Sequence, residues 1–391
     1  MKLQELRAVA VRIPRNPPKT KSRRPNWNTH AARALPINKY PEFPRLVGTM
    51  PGSGGGDVWV QAIAEDGTFG LGQCSFGEPV AAFVDHVYAP LLKGRDCMAI
   101  EYLNDLMWRA SQAIGHGGVA TVAQSGVDLA LWDLKWKLLG QPVYSLIGGP
   151  CRERIRCYAT SDDLDWSKEL RFTAFKVSNP AHYESGIEGI DQVDEKIAKA
   201  REAVGPKSEL MYNPVMSFNV EFAVRLADRL RPHGLRWFEE PLIPADLEGH
   251  VELKKAVTWV PIATGEHHRG RMPFRQLVER RAADILQPDI KWSGGLSELL
   301  KIYAIGEAAG LATVPHGGAN TPFGQHFGMA MPESSIAEYW MGSDPGVPLE
   351  EVCPIPGMSM PKDGYVRPSD APGFGMEIKP DWIGPWSQGR R

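Results

Sequence analysis

Glu209-Leu-Met-Tyr-Asn213, Leu235-Arg-Trp-Phe-Glu239-Glu240-Pro241 and Val260-Pro-Ile-Ala-Thr-Gly-Glu266-His267-His268 are three apolar runs that each stop at an oxygen or nitrogen donor. A buried parallel strand reads this way when its carboxyl end opens into an active site. Asn213 to Glu239 is 26 positions and Glu239 to Glu266 is 27, room for one strand, one helix and two loops per step. The series continues to Asp289 in Ile285-Leu-Gln-Pro-Asp289, to His316 in Ala312-Thr-Val-Pro-His316 and to Glu338 in Ser335-Ile-Ala-Glu338. Any one of these residues could simply cap the helix after it. Six in register point to a (β/α)8 barrel, which gathers its strand ends around one mouth where distant residues can share one ligand.

A chain of 391 residues has room for such a barrel and a second, smaller lobe. Its net charge is −2, and the one basic run, Lys19-Thr-Lys-Ser-Arg-Arg24, is too short for a nucleic-acid footprint. The five cysteines are odd in number and scattered, which argues against a disulfide framework or a zinc site and for a reducing cytoplasm. No apolar run reaches the ~18 residues of a membrane span, and the amino terminus lacks a signal-like apolar region. The expectation is a soluble cytoplasmic protein with neither membrane nor nucleic acid as partner.

In chain order, residues 2–13 alternate as a first strand. Residues 14–56 carry eight prolines and close on Gly52-Ser-Gly-Gly-Gly56, the composition of a lid or binding loop. Asp57–Glu65 and Thr68–Cys74 form a hairpin about Asp66-Gly67. Helical patterns follow at 78–93, 99–113 and 119–139; the last is apolar around most of its circumference, so it belongs between the lobes, and Gly140 and Pro142 end it. Barrel strands are predicted near 155–159, 172–177, 208–212, 235–239, 260–264, 284–288, 311–315 and 335–340, with helices such as 190–203, 219–231 and 296–309 between them. Residues 345–391, rich in Pro, Gly and Trp, are expected to pack back on the small lobe.

The donors at the mouth define the chemistry. Two carboxylates, Glu239 and Glu266, with the amide oxygen of Asn213 suit a hard cation such as Mg2+, whereas zinc would prefer nitrogen or sulfur. Neighbouring residues at a strand end point apart, so Glu239 rather than Glu240 is assigned to the metal. Asp289 and His316 end adjacent strands and can pair, the carboxylate orienting the imidazole as a general base. Glu338, facing them, is expected to donate a hydrogen bond or proton where charge develops on an oxygen. His267 is a candidate substrate contact, and His268 reads as structural.

The motifs Val127-Asp-Leu-Ala-Leu-Trp-Asp-Leu134, Pro142-Val-Tyr-Ser-Leu-Ile-Gly-Gly149, Trp237-Phe-Glu-Glu-Pro241, Thr264-Gly-Glu-His-His268, Gln287-Pro-Asp289 and Val314-Pro-His-Gly317 resemble the mandelate racemase branch of the enolase superfamily. With Pro372-Gly-Phe-Gly375, they are most similar to its acid-sugar dehydratases that act on L-rhamnonate. The resemblance implies an α/β protein: a modified TIM (β/α) barrel at 126–344, an α+β capping domain at 1–125 that includes the lid loop 14–56, and a C-terminal segment at 345–391 completing the cap. It also implies Mg2+ on Asn213, Glu239 and Glu266, the base dyad His316 and Asp289, Glu338 opposite, and a homo-oligomer. The expected reaction is removal of the proton α to a carboxylate and loss of the β-hydroxyl from a sugar acid, with His316 as the one strong base.

Two departures matter. The family has Asp most often where this chain has Asn213, which implies weaker Mg2+ binding and leaves a non-catalytic homologue as an alternative. Relatives often carry Lys-x-Lys on the second barrel strand, and here Lys176 is followed by Ser178, which favours dehydration over an epimerase or cycloisomerase needing a base on each face. Lys176 remains as a substrate contact, and Arg45 and His30 of the lid loop are candidates for the substrate carboxylate and distal hydroxyls.

Overall fold

The structure, a computed structural model, describes residues 1–43 and 56–386 and holds two sheets with one long apolar helix between them. The first sheet is antiparallel. It contains β1 (Leu3–Val11), β2 (Val58–Ala64), β3 (Phe69–Cys74) and, from the far end of the chain, β13 (Ile383–Pro385), in the order β13-β1-β2-β3. Glycines on β3 let this sheet approach the helix Val119–Leu138 backbone to backbone: a Cβ at Gly72 would lie 2.1 Å from the Gly126 carbonyl oxygen. The helix is buried on nearly every face because its other side meets the barrel. Trp132 Nε1 donates to Ser297 Oγ at 2.9 Å, and Asp128 Oδ2 accepts the Ser297 N–H at the start of the helix Gly295–Ala308.

The second sheet carries all eight expected strands: β4 (Ile155–Thr160), β5 (Ala174–Ser178), β6 (Glu209–Asn213), β7 (Trp237–Glu239), β8 (Ile262–Thr264), β9 (Ile285–Leu286), β10 (Ala312–Thr313) and β11 (Ile336–Trp340). They run parallel in the order β10-β9-β8-β7-β6-β5-β4-β11, so the last strand returns beside the first. The seam between β10 and β11 is crossed by Thr313 N–H to Glu333 O at 3.3 Å and Ala319 N–H to Glu338 O at 2.7 Å. The Pro- and Gly-rich carboxyl segment adds the short strand β12 (Tyr365–Val366) antiparallel to β4 before β13 completes the first sheet. Among the described residues no helix is long and apolar enough to cross a membrane.

Period two along the strands places the site. Tyr158, Ala174, Met211, Trp237, Ala263, Ile285, Val314 and Ile336 cluster inside the barrel as an apolar floor. Two residues later on each strand, on the same side, come Thr160, Lys176, Asn213, Glu239, Gly265, Gln287, His316 and Glu338, because strand side chains alternate faces. One layer of the core is therefore oily and the next is ionic. Gly265 is the exception in that polar ring, and its backbone requires it: φ is +139°, and a Cβ would sit 2.9 Å from the Gln287 nitrogen.

Because the cap and the helix touch through main chain at Gly72, Gly72→Ala is expected to force them apart and to cost about 1–3 kcal/mol of stability. A lowered denaturant midpoint, with the barrel's far-UV signature kept, is the expected result; an unchanged midpoint would mean that the contact is not tight.

Candidate active site

At the centre of the polar layer is Lys176, only 2% exposed, with its ammonium 2.5 Å from Glu239 Oε1 and 2.8 Å from Glu338 Oε1. Burial by itself would lower a lysine, but the two carboxylates outweigh it and hold Lys176 protonated, above its ordinary range. Glu239 is saturated with donors. Its Oε1 accepts from Lys176 and from Asn213 Nδ2 at 2.7 Å, and its Oε2 accepts from Trp237 Nε1 and Gln287 Nε2, both at 2.8 Å. Glu338 accepts on both oxygens as well, from Thr160 Oγ1 at 2.5 Å and the Gly317 N–H at 2.9 Å. Burial pushes the Glu338 carboxyl up, yet Lys176, His316 and the Gly317 N–H together bring it down to about 2. In this arrangement Glu338 accepts on both oxygens, and the charged donor facing it is Lys176.

On the other side of the mouth two imidazoles flank one carboxylate. His316 Nδ1 lies 2.7 Å from Asp289 Oδ2, and Asp289 Oδ1 accepts the Lys291 N–H at 2.7 Å, so the dyad foreseen from the strand ends is formed. His316 Nε2 then faces Glu266 Oε1 at 3.2 Å. Burial lowers the imidazole, but Glu266 and Asp289 raise it further, to about 9. Glu240 has a left-handed backbone, φ 41°, unlike the strand residue Glu239 before it. It receives the His267 N–H at 3.2 Å and holds His267 Nδ1 at 2.8 Å, leaving His267 Nε2 3.9 Å from Glu266 Oε1. Trp292 packs against both rings, with centroids 5.7 Å from His267 and 5.3 Å from His316.

The three residues expected to share a cation are therefore distributed as a pair and a single. Asn213 and Glu239 touch within the layer, while Glu266 stands among the imidazoles. Oxygen donors of this kind fit a hard cation. The fit requires two adjustments, because Asn213 turns its Nδ2 to Glu239 while its Oδ1 accepts the Val215 N–H at 2.7 Å, and Lys176 occupies Glu239 Oε1. A second donor group overlaps the first, since ligand atoms of Glu240, Glu266 and His267 lie within 4.8 Å of one another.

The layer borders a space of about 30 Å³ lined by Lys176, Asn213, Glu266, His316 and Glu338, beside a cavity of about 560 Å³ that shares Arg33, Glu266, His316 and Trp340 with it. Such a volume suits a small polar ligand. The described part of the lid is strapped across the strand ends. Trp27 Nε1 donates to Met341 O at 2.8 Å, the Ala34 N–H to Asn179 O at 2.8 Å, and Ser178 Oγ to Ala32 O at 3.0 Å. His30, proposed as a substrate contact, is exposed beside Thr29 and does not line either space. The lid arginine at the cavity is Arg33, 5.6 Å over the Trp340 ring and among the charges that lower Glu266. Arg45 lies outside the described residues. Arg33, Trp340 and Lys291 escaped the sequence reading, as did the pairing of Glu240 with His267, two residues it names separately.

Removing the one ammonium would leave two buried carboxylates facing each other. Lys176→Met is expected to lower the unfolding free energy by about 3–5 kcal/mol, with Lys176→Met/Glu338→Gln recovering part of it. Denaturant titration measures both, and a single variant as stable as the native protein would mean that Lys176 does not compensate these charges.

Comparison with known proteins agrees with this architecture. Residues 162–382 match the family described as enolase C-terminal domain-like, and residues 55–148 match the mandelate racemase / muconate lactonizing enzyme N-terminal domain. The L-rhamnonate dehydratase of Saccharopolyspora erythraea is 37% identical over 354 residues, 89% of this chain and 90% of that protein. The crystal structure of L-rhamnonate dehydratase from Gibberella zeae superposes with a TM-score of 0.87 at 32% identity, covering 99% of this chain and 97% of the other. The same Gibberella zeae enzyme complexed with Mg matches with a TM-score of 0.86 at 31% identity, over 100% of this chain and 98% of that one. A polar ring at the strand ends under an antiparallel cap, and matches over nearly the whole chain, make this protein a member of the mandelate racemase / muconate lactonizing enzyme group of the enolase superfamily.

Proposed function

We propose that the protein is a lyase, a Mg2+-dependent hydro-lyase that converts a sugar acid, L-rhamnonate or a similar aldonate, to the 2-keto-3-deoxy acid. The observation that carries this reading is His316, held 2.7 Å from Asp289 and lining the same space as the Lys176–Glu338 pair. A base on one side and a fixed cation on the other are what removal of a proton α to a carboxylate requires. The L-rhamnonate dehydratases of Saccharopolyspora erythraea and Gibberella zeae, the latter also known complexed with Mg, support the substrate class and the cofactor.

His316 Nε2 takes the α-proton while Asp289 fixes the tautomer through Nδ1. The negative charge that develops on the substrate carboxylate faces the Lys176 ammonium, and Glu338 keeps that ammonium in place through its own hydrogen bond. Magnesium bound at Glu239, Glu266 and Asn213 would supply further positive charge to the same oxygens and would offset the Glu266 charge that most raises His316. Protonated His316 then passes its proton to the departing β-hydroxyl from the same side, a syn elimination that releases water. The resulting enol takes a proton at the third carbon and gives up its hydroxyl proton to solvent, which yields the keto acid. Among the described residues the opposite face offers no free second base: Lys176 is held protonated by Glu239 and Glu338, Ser178 Oγ is engaged with Asp162 Oδ2 at 2.6 Å, and Lys196, which reaches Ser178 at 2.7 Å, is itself paired with Asp162 and does not line the cavity. Epimerisation would need that base, so dehydration is the reading favoured.

Two measurements bear on this reading. Calorimetric titration with Mg2+ is expected to give one weak site per chain that tightens in Asn213→Asp, where a charged oxygen replaces the amide; no uptake by either form would overturn the donor set. His316→Asn is expected to lower turnover by about 10²–10⁴ and to abolish exchange of the substrate α-proton in D2O. Exchange that persists in that variant would overturn the assignment of the base.

A further inference from the structure

The large cavity has a second charged pair that the reaction does not use. Lys291 leaves the loop after β9, its side chain is 17% exposed, and its ammonium lies 3.2 Å from Oδ1 of Asp57, the residue just before β2. Asp57 is fixed from the cap side by Ser75 Oγ at 3.1 Å and Gln73 Nε2 at 3.3 Å. Lys291 is fixed from the barrel side, because its own N–H is the donor to Asp289 Oδ1. Both charged residues line the cavity that His316 and Glu266 also line, with Phe76 and Trp292 as apolar walls.

We propose that Lys291 and Asp57 form a specificity-determining subsite that binds hydroxyl groups on the distal carbons of the sugar acid. This rests on the sugar-acid reading above. A mere strap between cap and barrel is a poor account of the pair: an ion pair with a half-exposed aspartate contributes little to holding two domains, and the buried helix Val119–Leu138 already does so. Its chemistry suits a polyol. The ammonium donates to a hydroxyl oxygen, the carboxylate accepts from a hydroxyl proton, and neighbouring hydroxyls on a chain present both. A second carboxylate on the substrate would meet Asp57 as well as Lys291, so the pair selects a monocarboxylic aldonate over an aldarate. Since the backbone N–H of residue 291 holds the dyad whatever its side chain, substitution there separates distal binding from proton transfer.

The test compares Lys291→Met and Asp57→Asn with the native Mg2+-loaded protein on two substrates, a six-carbon aldonate hydroxylated at its distal carbons and a four-carbon aldonate of the same configuration at the second and third carbons. Losing one charge-assisted hydrogen bond to substrate is expected to raise KM for the six-carbon acid by about tenfold or more. The expected kcat stays within about twofold, and Lys291→Arg restores part of the loss. KM for the four-carbon acid is expected to change far less. Equal losses on both substrates, or none on either, would overturn the subsite while leaving the function standing. A native protein that dehydrates neither acid would overturn the function and the subsite with it.

Discussion

Everything at the barrel mouth depends on one buried ammonium. Two carboxylates inside a protein repel each other and each lacks the water that would stabilise it. Lys176 lies between Glu239 and Glu338 and supplies one compensating charge to both. It cannot do this alone, so the remaining acceptor sites are filled by Trp237, Gln287, Asn213, Thr160 and the Gly317 N–H. The cluster then acts as a rigid plug: a donor that moves leaves a buried anion short of a partner, which confines Lys176 to one geometry.

That plug is why so much of the architecture is legible in the sequence. A layer of apolar residues followed two positions later by polar ones is a pattern that only inward-facing strands with a ligand above them produce, and it recurs from Met211 and Asn213 to Ile336 and Glu338. Strand existence and order follow from it. Strand ends are less legible: β9 and β10 keep only two paired residues each, because Pro288 and Pro315 turn the chain just beyond them. The Asp289–His316 pair was legible for the same reason as the strands, since each residue follows such a proline at a strand end and the two strands are neighbours.

What could not be read depends on contacts between lobes or on a local backbone twist. Arg33 and His30 are three positions apart in one irregular loop, and the docking of Trp27 under Met341 decides which of them reaches the cavity. Glu240 would alternate away from the site in a regular strand, but its left-handed φ turns it towards His267 instead. Asp57 and Lys291 are 234 positions apart, and neither has a pattern that names the other. Glu338 is legible by position, but its ionisation is not, because that depends on Lys176 of β5, six strands earlier in the chain, as well as on groups near it.

Asn213 makes sense within this balance of charge. An aspartate there would bring a third carboxylate to the lysine that already serves two, at the 2.7 Å separation at which Asn213 now donates to Glu239. With the amide, Lys176 and Asn213 together cover Glu239 Oε1, and His316 Nε2 stands 3.2 Å from Glu266 Oε1. A cation then has to compete with hydrogen bonds that already exist, whereas with an aspartate it would relieve repulsion. On the reading proposed above, the amide that would weaken the hold on a metal also spares the layer a third buried carboxylate, and both effects fall on Glu239, to which Asn213 donates.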